Sequence, residues 1–319
     1  MQPDEYRALA SSHPLKRRQY TLPTPMLEAA YDLIRTRVNA RRPGIVLYAT
    51  PQIGKSSCSR DVARCLKLEF PDSYTARVEA RGGKRTDNGH MYRLILEAER
   101  HVLSDRKNSN DLFMNAVFDI ATKVNKLGGG QYVLILDEAQ TLTQVDLQCL
   151  VYFNNALAER GIRMTTVSFA QPEILHRITA FGRSGAYQII ARFLCDTVQF
   201  HGCADNEQLR TILNQYDELS EFPENSGISF TCFYLPIAFK YGFRLSTYAN
   251  AIWTCIDTVL RKGDLFTVPM QHLSIIIEEL LQNAQTQDCS SFKLTEEEIN
   301  ASVLTSGLLN FTAASCSTL

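Results

Sequence analysis

An apolar, strand-like run from Gly44 to Tyr48 leads directly into Ala49-Thr50-Pro51-Gln52-Ile53-Gly54-Lys55-Ser56, and an amphipathic helical pattern follows from Ser56 to about Leu68. Few features constrain a fold more tightly. A strand, a tight loop ending in Gly-Lys-Ser and a helix make the context in which backbone N–H groups wrap a phosphate. The helix adds the positive end of its dipole. Thr50, Pro51, Gln52, Ile53, Gly54, Lys55, Ser56 and Ser57 are therefore the expected nucleotide-binding stretch. Within it, Lys55 reaches the β- and γ-phosphates and the Ser56 hydroxyl ligates Mg²⁺. Ala49 stands where the G-x-x-x-x-G-K-[ST] pattern has its first glycine. That glycine serves backbone conformation, so alanine is tolerated where its φ stays negative.

A second motif lies downstream. Val133-Leu134-Ile135-Leu136 is an apolar strand pattern that delivers Asp137-Glu138 at its C-terminal end, a Walker B arrangement. Asp137 is expected to hold Mg²⁺, and Glu138 to orient and deprotonate the attacking water. Strand ends of a parallel sheet face the crevice in which nucleotides bind. A third strand pattern, Arg163 to Phe169, runs into Ala170-Gln171. Gln171 is the candidate sensor of the γ-phosphate, with Ser168 as the alternative; the plain reading of Gln171 is a residue at a helix start before Pro172-Glu173.

The remaining pattern organises the chain. Met26 to Arg41 has helical apolar spacing, Tyr74 to Ala80 reads as a strand, Asn88 to Leu103 and Asn110 to Leu127 as helices, and Gly128-Gly129-Gly130 as a stop. Val145 to Arg160 is helical, with Gly161 in the position after its C-terminus. Asp196 to Phe200 is a last short strand. Beyond about residue 205 only helical patterns follow: Asn206 to Leu219, Phe230 to Tyr241, Leu245 to Lys262 and Val268 to Gln282, with a capping box at Thr295-Glu296-Glu297-Glu298. Strands alternating with helices, then helices alone, predict an α/β fold. The expected layout is an N-terminal arm over 1–24, a nucleotide-binding domain with a parallel sheet flanked by helices over 25–204, a helical lid over 205–302 and a weakly ordered C-terminal tail over 303–319.

Composition limits the rest. The chain has 319 residues, 45% of them hydrophobic, enough for a sizeable core, and a net charge of −1. Lys16, Arg17, Arg18, Arg35, Arg37, Arg41 and Arg42 make the N-terminal region basic; a solvated face and a binding surface are equally consistent with that. Nine cysteines lack metal-site spacing, and an odd count fits reduced thiols in the cytoplasm. No apolar run is long enough to span a bilayer, so no membrane partner is expected.

Two arginines complete the candidate site. Ile189-Ile190-Ala191-Arg192-Phe193 precedes the last strand, a region that in ring-forming ATPases carries an arginine reaching the neighbouring subunit's γ-phosphate. Arg192 is the candidate and Arg183 the alternative. Tyr241-Gly242-Phe243-Arg244-Leu245 opens a helix with a glycine and an arginine, which makes Arg244 a phosphate-touching candidate.

With these elements in order, the chain resembles an AAA+ ATPase from about Leu27 to Gln282. Asp137-Glu138-Ala139-Gln140, Ala170-Gln171-Pro172-Glu173, Ala191-Arg192-Phe193 and Gly242-Phe243-Arg244 look most like transposition regulators of the TnsC/TniB type, relatives of MuB. The resemblance implies a P-loop AAA+ domain with a C-terminal helical lid, ATP and Mg²⁺ as ligands, and homo-oligomers, as rings or helical filaments, on double-stranded DNA. It also implies partners: a transposase and a target-selector protein. The loop Arg81-Gly82-Gly83-Lys84-Arg85 occupies the position that faces the DNA in similar proteins. Lys84 and Arg85 there, and Lys107 in the Arg106–Ser109 turn, are suited to phosphates rather than bases. Two alternatives share the motifs: a secretion-type ATPase of the ExeA kind, and a nucleotide-gated scaffold with little hydrolysis, to which Ala49 and Ala170 point.

Overall fold

The computed structural model describes residues 9–82, 88–105, 108–263 and 265–316. Five strands form one parallel sheet: β1 (Gly44–Tyr48), β2 (Tyr74–Glu79), β3 (Gln131–Asp137), β4 (Arg163–Ala170) and β5 (Thr197–Gln199), in the order β2-β3-β4-β1-β5. Every residue of β3 is buried, as are all but the first of β4. Such continuous burial is what a parallel sheet covered on both faces demands, and it explains the unbroken apolar run before Asp137. On one face, Tyr132, Leu134 and Leu136 join a core with Met91, Ile95, Ile120, Val124, Leu150 and Phe153 from the helices His90–Ala98, Ser109–Leu127 and Gln144–Ala158. Gln131, buried at the start of β3, is satisfied: its Nε2 donates to Val38 O (2.8 Å) and its Oε1 accepts from Ser73 Oγ (3.1 Å).

Parallel pairing aligns the functional strand ends. Leu136 of β3 is opposite Ser168 of β4, and Tyr48 of β1 is opposite Ala170. Ala49 N continues the ladder by donating to Ala170 O (3.1 Å). The segments after β1, β3 and β4 thus leave the same edge of the sheet.

Compactness divides the described chain into two units. One comprises 29–51 and 55–200, with the sheet. The other comprises 9–28, 52–54 and 201–316, and is helical apart from the antiparallel bridge Cys203–Val268. In the helical unit, buried Asp217 accepts from Leu245 N (3.0 Å) and Ser246 N (2.9 Å), fixing the start of the turn Leu245–Tyr248. No helix among the described residues is long and apolar enough to cross a membrane.

Local sequence signals hold where they are chemical. Gly161 has φ 75°, Gly128 ends its helix at φ 84°, and Thr295 and Glu298 form a reciprocal capping box. They fail where packing decides. Phe230 to Tyr241 is two helices, Phe230–Tyr234 and Pro236–Lys240, because Pro236 has no N–H to give and turns Leu235 out of the helical region. The helix starting near residue 88 ends at Ala98, with Arg100 at φ 52°. The tail is helical over Leu308–Cys316, with Leu308 and Thr312 buried. The arm holds the turn Pro14–Arg17, whose Leu15 and preceding His13 are buried.

Candidate functional site

The P-loop sits between β1 and the helix Lys55–Glu69. Ala49 is buried and does not adopt a positive φ; the left-handed conformations fall on Gln52 (φ 67°) and Gly54 (φ 111°). Alanine at the first position is therefore compatible with the loop, as the sequence argument requires. Gln52 belongs to the helical unit, where its Oε1 lies 2.8 Å from His272 Nε2 and its carbonyl accepts from Gln271 N (3.2 Å).

Lys55 is 5% exposed, and its Nζ donates to Ala49 O and Thr50 O, each at 2.8 Å. Burial pushes its pKa down, while the carboxylates of Glu138, Asp137 and Glu173 pull it back up. The ammonium is thus desolvated and surrounded by acceptors, the setting in which it gains most from an incoming anion. Ser56 and Ser57 are half-buried in the first helical turn, and Ser57 Oγ accepts from Arg60 Nη2 (3.2 Å).

Asp137 and Glu138 leave β3 into different surroundings. Asp137 is 1% exposed. Its Oδ2 accepts from Ser59 Oγ (3.1 Å) and from Arg77 Nη2 (2.5 Å), and its Oδ1 from Glu138 N (3.2 Å). Glu138 is half-buried at φ 56°, ψ 37°, a left-handed conformation that costs a non-glycine residue free energy and re-aims its side chain. Its Oε2 accepts from Gln140 Nε2 (2.5 Å) and Gln171 Nε2 (3.1 Å), while Gln171 N donates to Gln140 Oε1 (3.0 Å). Glu138, Gln140 and Gln171 therefore form one closed network that joins the ends of β3 and β4. Ser168, the alternative sensor, is buried within β4 at 1% exposure.

Sequence reasoning missed four residues of this arrangement: Ser59, Gln140, Arg77 and Arg177. Gln140 was part of a quoted motif but had no role. Arg177, on the helix Glu173–Arg183, donates to the carbonyls of Gln140 and Leu142 and so fixes the loop that carries Glu138. Arg77 reads as an unremarkable polar residue of an edge strand. No local pattern marks either Arg77 or Arg177.

Among the described residues, neither Arg183 nor Arg192 shares a hydrogen bond with this network. Arg183 is exposed. Arg192 is half-buried in the π-helical turn Ile190–Leu194, and its Nη1 is enclosed without a hydrogen-bond partner among the described residues. In the helical unit, Arg244 donates through Nη1 to Phe239 O (3.0 Å) and Phe243 O (2.6 Å), with its guanidinium 3.6 Å from the centre of the Phe239 ring. Lys84, Arg85 and Lys107 lie outside the described residues. Much of the basic N-terminal cluster is paired within the chain: Arg18 with Glu278, Arg35 with Asp32 and Glu69, Arg37 with Asp196, while Arg41 donates to Gly129 O.

A P-loop after β1, an Asp-Glu pair at the end of β3 and a polar residue after β4, in the strand order β2-β3-β4-β1-β5, make up the P-loop AAA+ fold. Comparison with known families agrees: residues 38–178 match the model of a family described as an AAA domain. Solved AAA+ structures share the fold over most of the chain. The ORC2 protein of Aeropyrum pernix, solved with ADPNP and ADP, is 12% identical with a TM-score of 0.56, over 92% of this chain and 71% of that one. The same protein in its ADP form gives 13% and 0.58, over 87% and 67%. The ORC1 protein of Aeropyrum pernix in complex with DNA gives 14% and 0.56, over 91% and 68%. At such identities the likeness is one of fold. No curated protein matches the sequence.

Proposed function

We propose that this AAA+ chain is a magnesium-dependent ATPase that oligomerises on double-stranded DNA and regulates transposition, recruiting a transposase to sites set by a target selector. The observation that carries the ATPase reading is the Glu138 carboxylate, re-aimed by its left-handed backbone and held by the amides of Gln140 and Gln171 on the sheet edge that also bears the P-loop. The two amide donors position the Glu138 carboxylate as a base for a water. Lys55 exchanges the carbonyls of Ala49 and Thr50 for β- and γ-phosphate oxygens, and the P-loop N–H groups cradle the β-phosphate. Gln171 senses the γ-phosphate and transmits its presence to Glu138 through their shared hydrogen bond.

The donor set suits Mg²⁺, a hard cation that takes oxygen ligands. Ser56 and Asp137 are the residues that would hold it. Ser59 Oγ ties their neighbourhoods together, 3.0 Å from Ser56 O and 3.1 Å from Asp137 Oδ2. When bound, the metal offsets charge on the phosphate oxygens. A trans arginine from an adjoining protomer completes the site. Between the two candidates, the exposure of Arg183 favours it over the enclosed Arg192. Arg244, whose Nη1 donates to Phe239 O and Phe243 O, is the remaining phosphate-touching candidate.

The DNA reading rests on the cationic, glycine-rich loop with Lys84 and Arg85, on Lys107, and on the DNA complex of Aeropyrum pernix ORC1, which shares the fold. The transposition reading rests on the four short motifs that resemble TnsC and TniB. Electron microscopy of the purified protein with duplex DNA tests both assembly and its trigger. Rings or filaments are expected with a non-hydrolysable ATP analogue and not with ADP, and DNA affinity is expected to fall steeply with salt. Nucleotide-independent or absent assembly on DNA would refute this reading. Co-purification with a transposase encoded beside the gene tests the final part.

A further inference from the structure

The Walker B carboxylate already has a cation. Arg77 lies in the middle of β2, an edge strand, and in register with Ile135 of β3. Its guanidinium makes a two-point contact: Nε donates to Ser59 Oγ (2.9 Å) and Nη2 to Asp137 Oδ2 (2.5 Å). Ser59, fully buried, itself donates to the same Oδ2. The Asp137 side chain is 2% exposed and that of Arg77 25% exposed, so the pair is shielded on the carboxylate side and open on the guanidinium side. Asp137 Oδ2 thus accepts two hydrogen bonds, one of them from a cation.

We infer that Arg77 is an internal counter-cation that competes with Mg²⁺ for Asp137, and so sets the magnesium threshold of the site; this rests on the nucleotide-binding reading above. The physical case is short. A buried carboxylate without a partner is costly, and Arg77 removes that cost when no metal is present. Two cations on one carboxylate repel each other strongly where solvent is excluded. Asp137 therefore accepts a divalent ion to the extent that Arg77 swings toward solvent, which its open side permits. Lys55 does not fill this role, because its Nζ is held by Ala49 O and Thr50 O.

The test is a Mg²⁺ titration of full-length protein with a fluorescent ATP analogue, beside analogue binding in EDTA. Arg77→Gln keeps donors toward Ser59 and Asp137 but removes the charge, and Arg77→Lys keeps the charge. Competition predicts that half-saturating Mg²⁺ falls about tenfold in Arg77→Gln, the effect of removing one charge–charge repulsion at a partly screened site. It should stay within about twofold of wild type in Arg77→Lys, and binding in EDTA should be unchanged in both. A rise in half-saturating Mg²⁺ would mean that Arg77 orients Asp137 for the metal, and no change would mean a purely structural ion pair; either overturns the inference while leaving nucleotide binding intact. Failure of the wild type to bind the analogue under any condition removes the nucleotide-binding reading itself, and the inference with it. A measurement on the wild type avoids dependence on variant folding. With ADP present, Mg²⁺ should shift the Arg77 Nε–H resonance and raise its hydrogen-exchange rate, and a resonance unmoved at saturation refutes the competition.

Discussion

Two of the places where this molecule encloses ionisable groups treat them in opposite ways. At the carboxyl edge of the sheet, Lys55, Asp137 and Glu138 are each given hydrogen-bond partners that match their charged forms. In the helical unit, His13 is 0% exposed inside a cage of Phe222, Phe230, Phe233 and Tyr234, with ring centres 4.5–4.9 Å away. Its Nδ1 accepts from Leu15 N (3.1 Å), but its Nε2 has no hydrogen-bond partner among the described residues. Burial there pushes its pKa down to about 4. Hydrogen-bond partners suited to a charge equip a site to meet other charges; an imidazole forced neutral is a packing element that fastens the N-terminal segment.

Substitutions can break that contrast. The largest effect is expected from Glu138→Gln, which keeps the hydrogen-bonding shape but not the base: steady-state phosphate release should fall roughly 10²–10⁴-fold with ATP affinity preserved. Equal, slow turnover in wild type and variant would instead mark a nucleotide-gated scaffold. His13→Ala should act on stability alone, lowering the unfolding free energy by about 3 kcal/mol in urea titrations through the cavity it leaves.

The pH response sharpens the same point. His13 has a folded-state pKa of about 4, below the ordinary value of 6.5. The unfolded chain therefore takes up the proton first, so the contribution of neutral His13 is complete above pH 6.5 and is lost as the pH falls toward 4. Between pH 7.5 and pH 5 the wild type should lose about 2 kcal/mol more stability than His13→Phe, measured by paired urea titrations. The smallest effect belongs to the shell around Glu138. Gln140→Ala should slow hydrolysis about tenfold and leave ATP affinity unchanged, as expected when one of two hydrogen bonds positioning a base is lost. An unaltered rate in single-turnover assays would show that Gln171 alone suffices.

Legibility followed the range of the interaction. The P-loop, the Asp137–Glu138 pair and the strand leading to Gln171 were readable because each is a short, contiguous run whose chemistry requires those residues at that spacing. The same holds for the Thr295 capping box and the glycine stops. Gln171 proved to touch Glu138, 33 residues away, because parallel strands place their ends together. Arg77 and Arg177 were not readable. Their partners are 60 residues distant in one case and backbone carbonyls in the other, and no local pattern encodes either. The arm reads as extended from its prolines and the tail as weakly ordered, yet His13, Leu15 and Leu308 are buried, His13 against rings far along the chain.

The sequence by itself determined the nucleotide-binding fold: burial on both sheet faces forces the apolar runs, and phosphate geometry forces the loop. Only the tertiary structure decided which charges meet. Whether Asp137 faces a guanidinium and Glu138 two amides depends on which side chains the register of neighbouring strands and helices brings within about 3 Å, and hydrogen-bond and ion-pair energies are set at that distance, not along the chain.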